Sequence, residues 1–294
     1  MPTQIDHVIL ATPTLAHLEQ QFTRLGFTVT GGGTHPHLGT RNRLIVLDVG
    51  YIELLAVADE SRVSPHLARR LTQGGGWVGF AAQSDEIAAE VAAMRSRGVD
   101  ALGPQAGRLL GPDGRERGWR VATVETADLW ASAEPLPFLI QHTTTGQRHR
   151  EELAGADEWA PHPNGTHSLR DVVIATDNLS RLRERYAATY AMTTADSPTH
   201  DATLDAETLA LPFATGHERI VLAQPTGEGI IRDRLATGGE GMALVTVAVD
   251  RLEAAASLLT TRTVTFTRAP DALLVALADD GVKDGAAWLR FVAA

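Results

Sequence analysis

The side chains in this sequence that could do chemistry gather in its first half. Glu53 lies in the run Tyr51-Ile52-Glu53-Leu54-Leu55, which reads as a strand with Glu53 on the same face as Tyr51 and Leu55. A carboxylate inside an apolar strand is destabilising unless it is paired, hydrogen-bonded or bound to a metal. Glu53 is therefore a candidate base. His7 sits in a second apolar strand, Ile5–Leu10, where strict alternation places it with Ile5 and Ile9. His35 and His37 flank Pro36 in a glycine-rich segment that reads as a loop. His35 is expected to line a site and to share in proton transfer, and His37 to face solvent. Asn42 and Arg43 open the next strand, where an amide or guanidinium can hold a carbonyl or anionic oxygen. Arg108 is a further candidate for an anionic group, its alternative being a surface ion pair. Trp119 is expected at a pocket wall, and Pro112-Asp113-Gly114 reads as a hairpin turn.

These residues need elements to position them, and the sequence supplies them by repetition. Ile5–Leu15 (IDHVILATPTL) and Leu169–Leu179 (LRDVVIATDNL) match as strand, Thr, turn and helix start. After the first, Leu15, Leu18, Phe22 and Leu25 recur at helical spacing, and Gly26 stands where a closing glycine is expected. Fainter copies begin at Trp77 and Met242. Short strands follow each helix, including Asn42–Val49, Trp119–Glu125, Phe138–His142, Ile220–Gln224 and Leu273–Leu277. The pattern predicts an α+β fold of four β-α-β-β-β modules, each helix covering one sheet face and leaving a concave trough on the other. Residues 147–164 are polar, rich in Gly and Pro near the end, and read as a linker between domains at 1–146 and 165–294.

Several short runs carry a family resemblance. They are Ile5-Asp6-His7-Val8, Gly32-Gly33-Thr34-His35-Pro36 with Gly39-Thr40-Arg41-Asn42, Tyr51-Ile52-Glu53-Leu54, and Arg108 with Pro112-Asp113-Gly114 and Trp119. Pro137-Phe138-Leu139-Ile140-Gln141 and His162-Pro163-Asn164-Gly165 complete the series. Together they resemble two-domain glyoxalase-like proteins of the vicinal oxygen chelate superfamily. The resemblance implies paired modules forming curved mixed sheets, with metal ligands drawn from the first and last strands of each module. In this sequence those positions are His7 and Glu53, then Gly79 and Gln141, so at most three side chains can ligate. One imidazole, one carboxylate and one amide suit Zn, Mn, Fe or Ni with open positions for substrate. The implied chemistry is Lewis-acid activation of a substrate with adjacent oxygens, of isomerase, lyase or dioxygenase type. The alternative is a metal-free protein that binds or sequesters a small apolar or aromatic ligand behind a wall of Trp77, Trp119 and Phe138. Equivalent positions in the second half are Asp171, Val221, Leu244 and Phe291, so that half is expected to hold no metal.

Composition removes other classes. Cysteine is absent, which excludes disulfides, thiolate nucleophiles and cysteine-based metal clusters. A net charge of −10 argues against a nucleic-acid partner. No apolar run approaches the ~20 residues of a membrane span, and the N-terminus lacks a basic leader. A cytoplasmic monomer or homodimer acting on a small molecule is the simplest expectation. No G-x-S-x-G, P-loop or H-E-x-x-H motif occurs, and Gly74-Gly75-Gly76 precedes a strand rather than a helix.

Overall fold

A computed structural model describes residues 1–110, 114, 116–132, 134–144, 146–154, 160–277 and 287–294. Pro112 and Asp113 of the expected hairpin turn lie outside the described residues. Four modules follow one another. The first comprises β1 (Ile5–Ala11), α1 (Leu15–Arg24), β2 (Thr30–His35), β3 (Thr40–Val46) and β4 (Tyr51–Val57). After α2 (Pro65–Thr72) come β5 (Gly76–Gln83), α3 (Ile87–Ser96), β6 (Ala101–Leu110), β7 (Glu116–Val124) and β8 (Phe138–His142). After α4 (Gly146–Ala154) come β9 (Thr166–Ala175), α5 (Leu179–Tyr190), β10 (Thr199–Asp201), β11 (Ala206–Pro212) and β12 (Arg219–Pro225). After α6 (Ile230–Gly238) come β13 (Gly241–Val249), α7 (Leu252–Thr261), β14 (Thr267–Ala269), β15 (Ala272–Ala276) and β16 (Trp288–Ala293). The expected module order is thus the order of the molecule.

Modules pair through their first strands. β1 runs antiparallel to β5, and β9 antiparallel to β13. Each first strand also lies parallel to the last strand of its own module, as His7 opposite Tyr51 and Asp171 opposite Arg219 illustrate. Two eight-stranded sheets of the same order result. The first closes into a barrel where Thr34 of β2 meets Leu110 of β6, whereas the second stays open between β10 and β14.

Alternation sorts the side chains. Ile52, Leu54 and Ala56 of β4 join residues of α1, α3, α5 and α7 in one continuous core that also contains Ile220, Leu289 and Phe291. The helices α1, α3, α5 and α7 therefore lie between the two sheets, and each sheet turns its concave face away from them. Tyr51, Glu53 and Leu55 point into the first barrel. Strict alternation fails in one place. The register of β1 against β5 steps from Ile5–Ala82 to His7–Ala81, leaving Asp6 as the extra residue of a β-bulge. Ile5 accordingly packs in the helix-facing core with Val8 and Leu10, and does not share a face with His7 and Ile9 as strict alternation required. β9 carries the corresponding step, from Leu169 to Asp171.

Two expected loops are ordered elements. Residues 30–35 form β2, because Gly31 and Gly32 adopt left-handed φ of 54° and 85° within a bulge opposite β3. A Cβ at Gly31 would lie 1.9 Å from the Leu153 carbonyl oxygen, and one at Gly32 would lie 2.2 Å from that of Asn42. The glycines permit close packing rather than flexibility. In the stretch 147–164 read as linker, residues up to Ala154 belong to α4, whose Leu153 and Ala154 are buried. The His162-Pro163-Asn164-Gly165 segment is a joint. His162 Nδ1 accepts from the Thr28 amide, and the Asn164 side chain donates to the Leu25 carbonyl. Among the described residues no helix is long and apolar enough to cross a membrane.

Candidate active site

The bulge in β1 and the alternation of β3, β4 and β8 bring a chain of polar groups into the first barrel. Glu53 lies at its centre and is buried. Asn42 of β3 donates its side-chain amide to Glu53 Oε1 at 2.6 Å, and its Oδ1 accepts the Gly33 amide at 2.8 Å. His7 Nε2 faces Glu53 Oε2 at 3.7 Å, and His35 Nε2 faces Oε1 at 3.9 Å. These two separations exceed hydrogen-bond length. They are also longer than the ~3.0–3.4 Å expected between ligand atoms held ~2.0–2.1 Å from a shared ion.

Both imidazoles are held from behind. His7 Nδ1 lies 2.6 Å from Asp6 Oδ1, and the ring stacks on Tyr51 with centroids 4.5 Å apart and meets the edge of Phe138. An imidazole whose Nδ1 proton goes to a carboxylate presents a lone pair at Nε2, the orientation used by metal ligands and bases. His35 Nδ1 lies 3.0 Å from the Thr40 hydroxyl, and Trp119 approaches the ring edge-on. Burial pushes His35 below its ordinary pKa against the opposing pull of Glu53, so the ring is neutral at pH 7. Burial, with Asp6 and Glu53 adding to it, raises Tyr51 far above the usual phenol range.

A second group lies nearer the mouth of the barrel. Asp6 receives His142 Nε2 at 3.1–3.2 Å as well as His7. Burial alone would raise the Asp6 carboxyl, but His142 and His7 hold it well below the carboxylate range. His149 of α4 packs its ring 4.1 Å from that of His142. Asp6, His142 and His149 line a cavity of about 510 Å³ together with Tyr51, Asp48 and Asp85. At the other end the barrel is filled by Ile9, Leu55, Leu67, Leu71, Val78 and Trp130.

The residues chosen from sequence divide accordingly. His7, Glu53, His35 and Asn42 converge, with Trp119 and Phe138 against the two imidazoles. Asn42 spends its side chain on Glu53 and Gly33, so it positions the carboxylate rather than meeting substrate. Gln141 does not join them. Phe138, Ile140 and His142 of β8 face inward, Leu139 faces the helices, and Gln141 follows Leu139, donating to the Asp85 carbonyl. The inward-facing polar group of this strand is the next residue, His142. Arg108 alternates with Gly107, against which Trp119 lies, and pairs on the surface with Glu116 and His37. Trp77 is no part of an aromatic wall. It packs on the helix side and donates Nε1 to the Trp288 carbonyl of the second sheet. At Gly79 the space a side chain would take is bounded by Trp130, 3.7 Å away.

Sequence reasoning missed Asp6, His142 and His149. Asp6 was hidden by the bulge, and His142 by its one-residue offset from Gln141. His149 lies in the segment taken for a linker, where the amphipathic run Arg148–Leu153 was the available signal.

Comparison with known proteins bears on these residues. The glyoxalase-like domain family matches residues 5–190. A hypothetical protein from Staphylococcus aureus superposes with a TM-score of 0.67 at 14% identity, covering 99% of both chains. A triple mutant of 4-hydroxymandelate synthase from Streptomyces coelicolor superposes with a TM-score of 0.68 at 16% identity, covering 99% of this chain and 92% of that one. At these identities the likeness is one of fold. No curated protein matches the chain.

Proposed function

The chain belongs to the glyoxalase-like domain family of the vicinal oxygen chelate superfamily, and from that premise we propose that its first barrel moves a proton on a small substrate carrying adjacent oxygens. The observation that carries this reading is Glu53, a buried carboxylate flanked by two imidazoles and an amide with no Arg or Lys among its described contacts. A carboxylate left without a counter-cation in a dry barrel is a strong acceptor for a proton or for a cation.

The residues act as follows. Glu53 takes a proton from the carbon next to a carbonyl, leaving an enediolate. Asn42 fixes Oε1, so that Oε2 is the atom that receives it. Asp6 orients His7 so that its Nε2 lone pair is turned toward Glu53. His35, neutral and tied to Thr40, exchanges a proton at Nε2. Return of the proton from Glu53 to the adjacent carbon gives an isomer, with no change in redox state. His7 and Glu53, whose facing atoms are 3.7 Å apart, would hold a divalent ion such as Zn, Mn, Fe or Ni, leaving His35 Nε2 free for the proton. Such an ion, when bound, supplies Lewis-acid polarisation of a substrate oxygen. The sequestration reading has less support, because the apolar end of the barrel is already packed by Trp130 and its neighbours.

Exchange with solvent deuterium tests the proposal. Protein reloaded with Zn, Mn, Ni or Fe is incubated in D2O with α-hydroxyketones and with thiol adducts of 2-oxoaldehydes, and followed by NMR. Deuterium entering next to the carbonyl, and lost in Glu53→Gln, is the expected result. No exchange with any member, or equal exchange in Glu53→Gln, overturns it.

A further inference from the structure

We propose that Asp6, His142 and His149 form a separate divalent-cation site at the mouth of the first barrel, apart from the Glu53 centre. Their ligand atoms all lie within 4.8 Å of one another. Three different elements supply them: the bulge of β1, the end of β8 and the helix α4.

Hydrogen bonds around the cluster assign its protons. The Thr144 hydroxyl donates to Glu152 Oε2 at 2.7 Å, so its oxygen is left to accept from His149 Nδ1 at 3.3 Å. That fixes the Nδ1–H tautomer of His149 and leaves the lone pair on Nε2. Nε2 is buried and has no hydrogen-bond partner. A buried acceptor without a donor is destabilising unless something electrophilic meets it.

The carboxylate is prepared in the same way. His7 Nδ1 lies 2.6 Å from Asp6 Oδ1, and His142 Nε2 lies between the two oxygens, 3.2 Å from Oδ1 and 3.1 Å from Oδ2. That spacing is close to the ~3.0–3.4 Å between neighbouring ligands of a four- to six-coordinate ion with ~2.0–2.1 Å bonds. Binding exchanges the His142 Nε2 proton for the metal. Two of the three ligands have a partner behind them: His7 for Asp6, and the Thr144–Glu152 pair for His149. Two imidazoles and one carboxylate select Zn, Co, Ni or Fe(II) over Mg and Ca. The adjoining cavity of about 510 Å³ leaves room for water or ligand at the open positions.

Counting metal sites separates this centre from the one at Glu53. Chelator-treated full-length protein is titrated with Zn(II) by calorimetry and with Co(II) by visible absorption, beside His149→Ala, Thr144→Val and Glu53→Gln. The expected result is that Glu53→Gln keeps a site that His149→Ala loses, and that Thr144→Val binds ~10–100-fold more weakly there. Thr144→Val retains the imidazole, so it gives the answer even if His149→Ala fails to fold. One site lost in Glu53→Gln and retained in His149→Ala overturns this inference and leaves the Glu53 reading standing. No binding by wild-type protein overturns it outright.

Discussion

The two sheets have the same strand order, yet they treat their buried carboxylates, Glu53 in the first and Asp171 in the second, in opposite ways. In the second sheet Asp171 takes the place of His7, and Arg219, its parallel-strand neighbour, takes the place of Tyr51. Arg219 Nε donates to Asp171 at 2.7 Å, and Arg290 reaches Asp171, Thr246 and Asp201 from the fourth module. Val221 stands where Glu53 stands in the first barrel. The second trough therefore closes its charges into an internal network. The first leaves Glu53 with only an amide and two imidazoles. A buried charge answered by guanidinium is a structural element, whereas one answered by neutral donors remains open to a proton or a cation. This contrast singles out Glu53 more sharply than the repeat does.

Substitutions should break the contrast in a definite order. Glu53→Gln removes the base while keeping the Asn42 contact geometry, and turnover should fall about 10³-fold with the melting temperature unchanged or raised. Asp171→Asn should do the reverse. It removes the carboxylate shared by Arg219 and Arg290, with Arg290 keeping Asp201 and Thr246, so chemical denaturation should show a loss of about 1–3 kcal/mol, while the folded fraction turns over normally. If Asp171→Asn silences turnover in folded protein, the division of labour between the sheets fails.

The joint between the halves should respond to acid. His162 is buried and pushed down to about 4 mainly by desolvation, against the pull of the Val46 carbonyl and Asp48. The unfolded chain binds this proton from about pH 6.5 downward and the folded chain does not. Stability is therefore full above pH 6.5 and falls as pH drops towards 4, by up to about 3 kcal/mol. A thermal-melt series should show a shallower slope for His162→Gln than for wild type.

Asn42→Ala should lower turnover by about 10–100-fold, because Glu53 loses the donor that fixes Oε1. An unchanged rate would mean that the carboxylate needs no such tether. Arg108→Ala should change stability by no more than about 0.5 kcal/mol and leave turnover near wild type, since its partners Glu116 and His37 are on the surface.

Much of the fold was legible because it depends on local periodicity. Strand Ile5–Leu10, the helix face of Leu15, Leu18 and Phe22, and the recurrence at Leu169 all follow from side-chain spacing that packing then enforces. Of the candidate site, only the residues that converge on Glu53, namely His7, His35 and Asn42, were legible with it. Gln141 was chosen from its place in a run, and a single step of alternation moved the polar role to His142. Residues 30–35 were taken as a loop because glycine signals turns, although here it admits the backbone of Leu153 against the strand.

The sequence by itself determined the module, its fourfold repetition and the asymmetry of its polar residues, since these rest on the order and period of side chains along the chain. Only the tertiary structure decided that Asp6 turns inward, that α4 brings His149 over the barrel mouth, and that His7 links the Glu53 and Asp6 groups. Those outcomes depend on a one-residue bulge and on packing between elements over a hundred residues apart. Neither leaves a periodic signal, because each is set by which surfaces meet rather than by the neighbours along the chain.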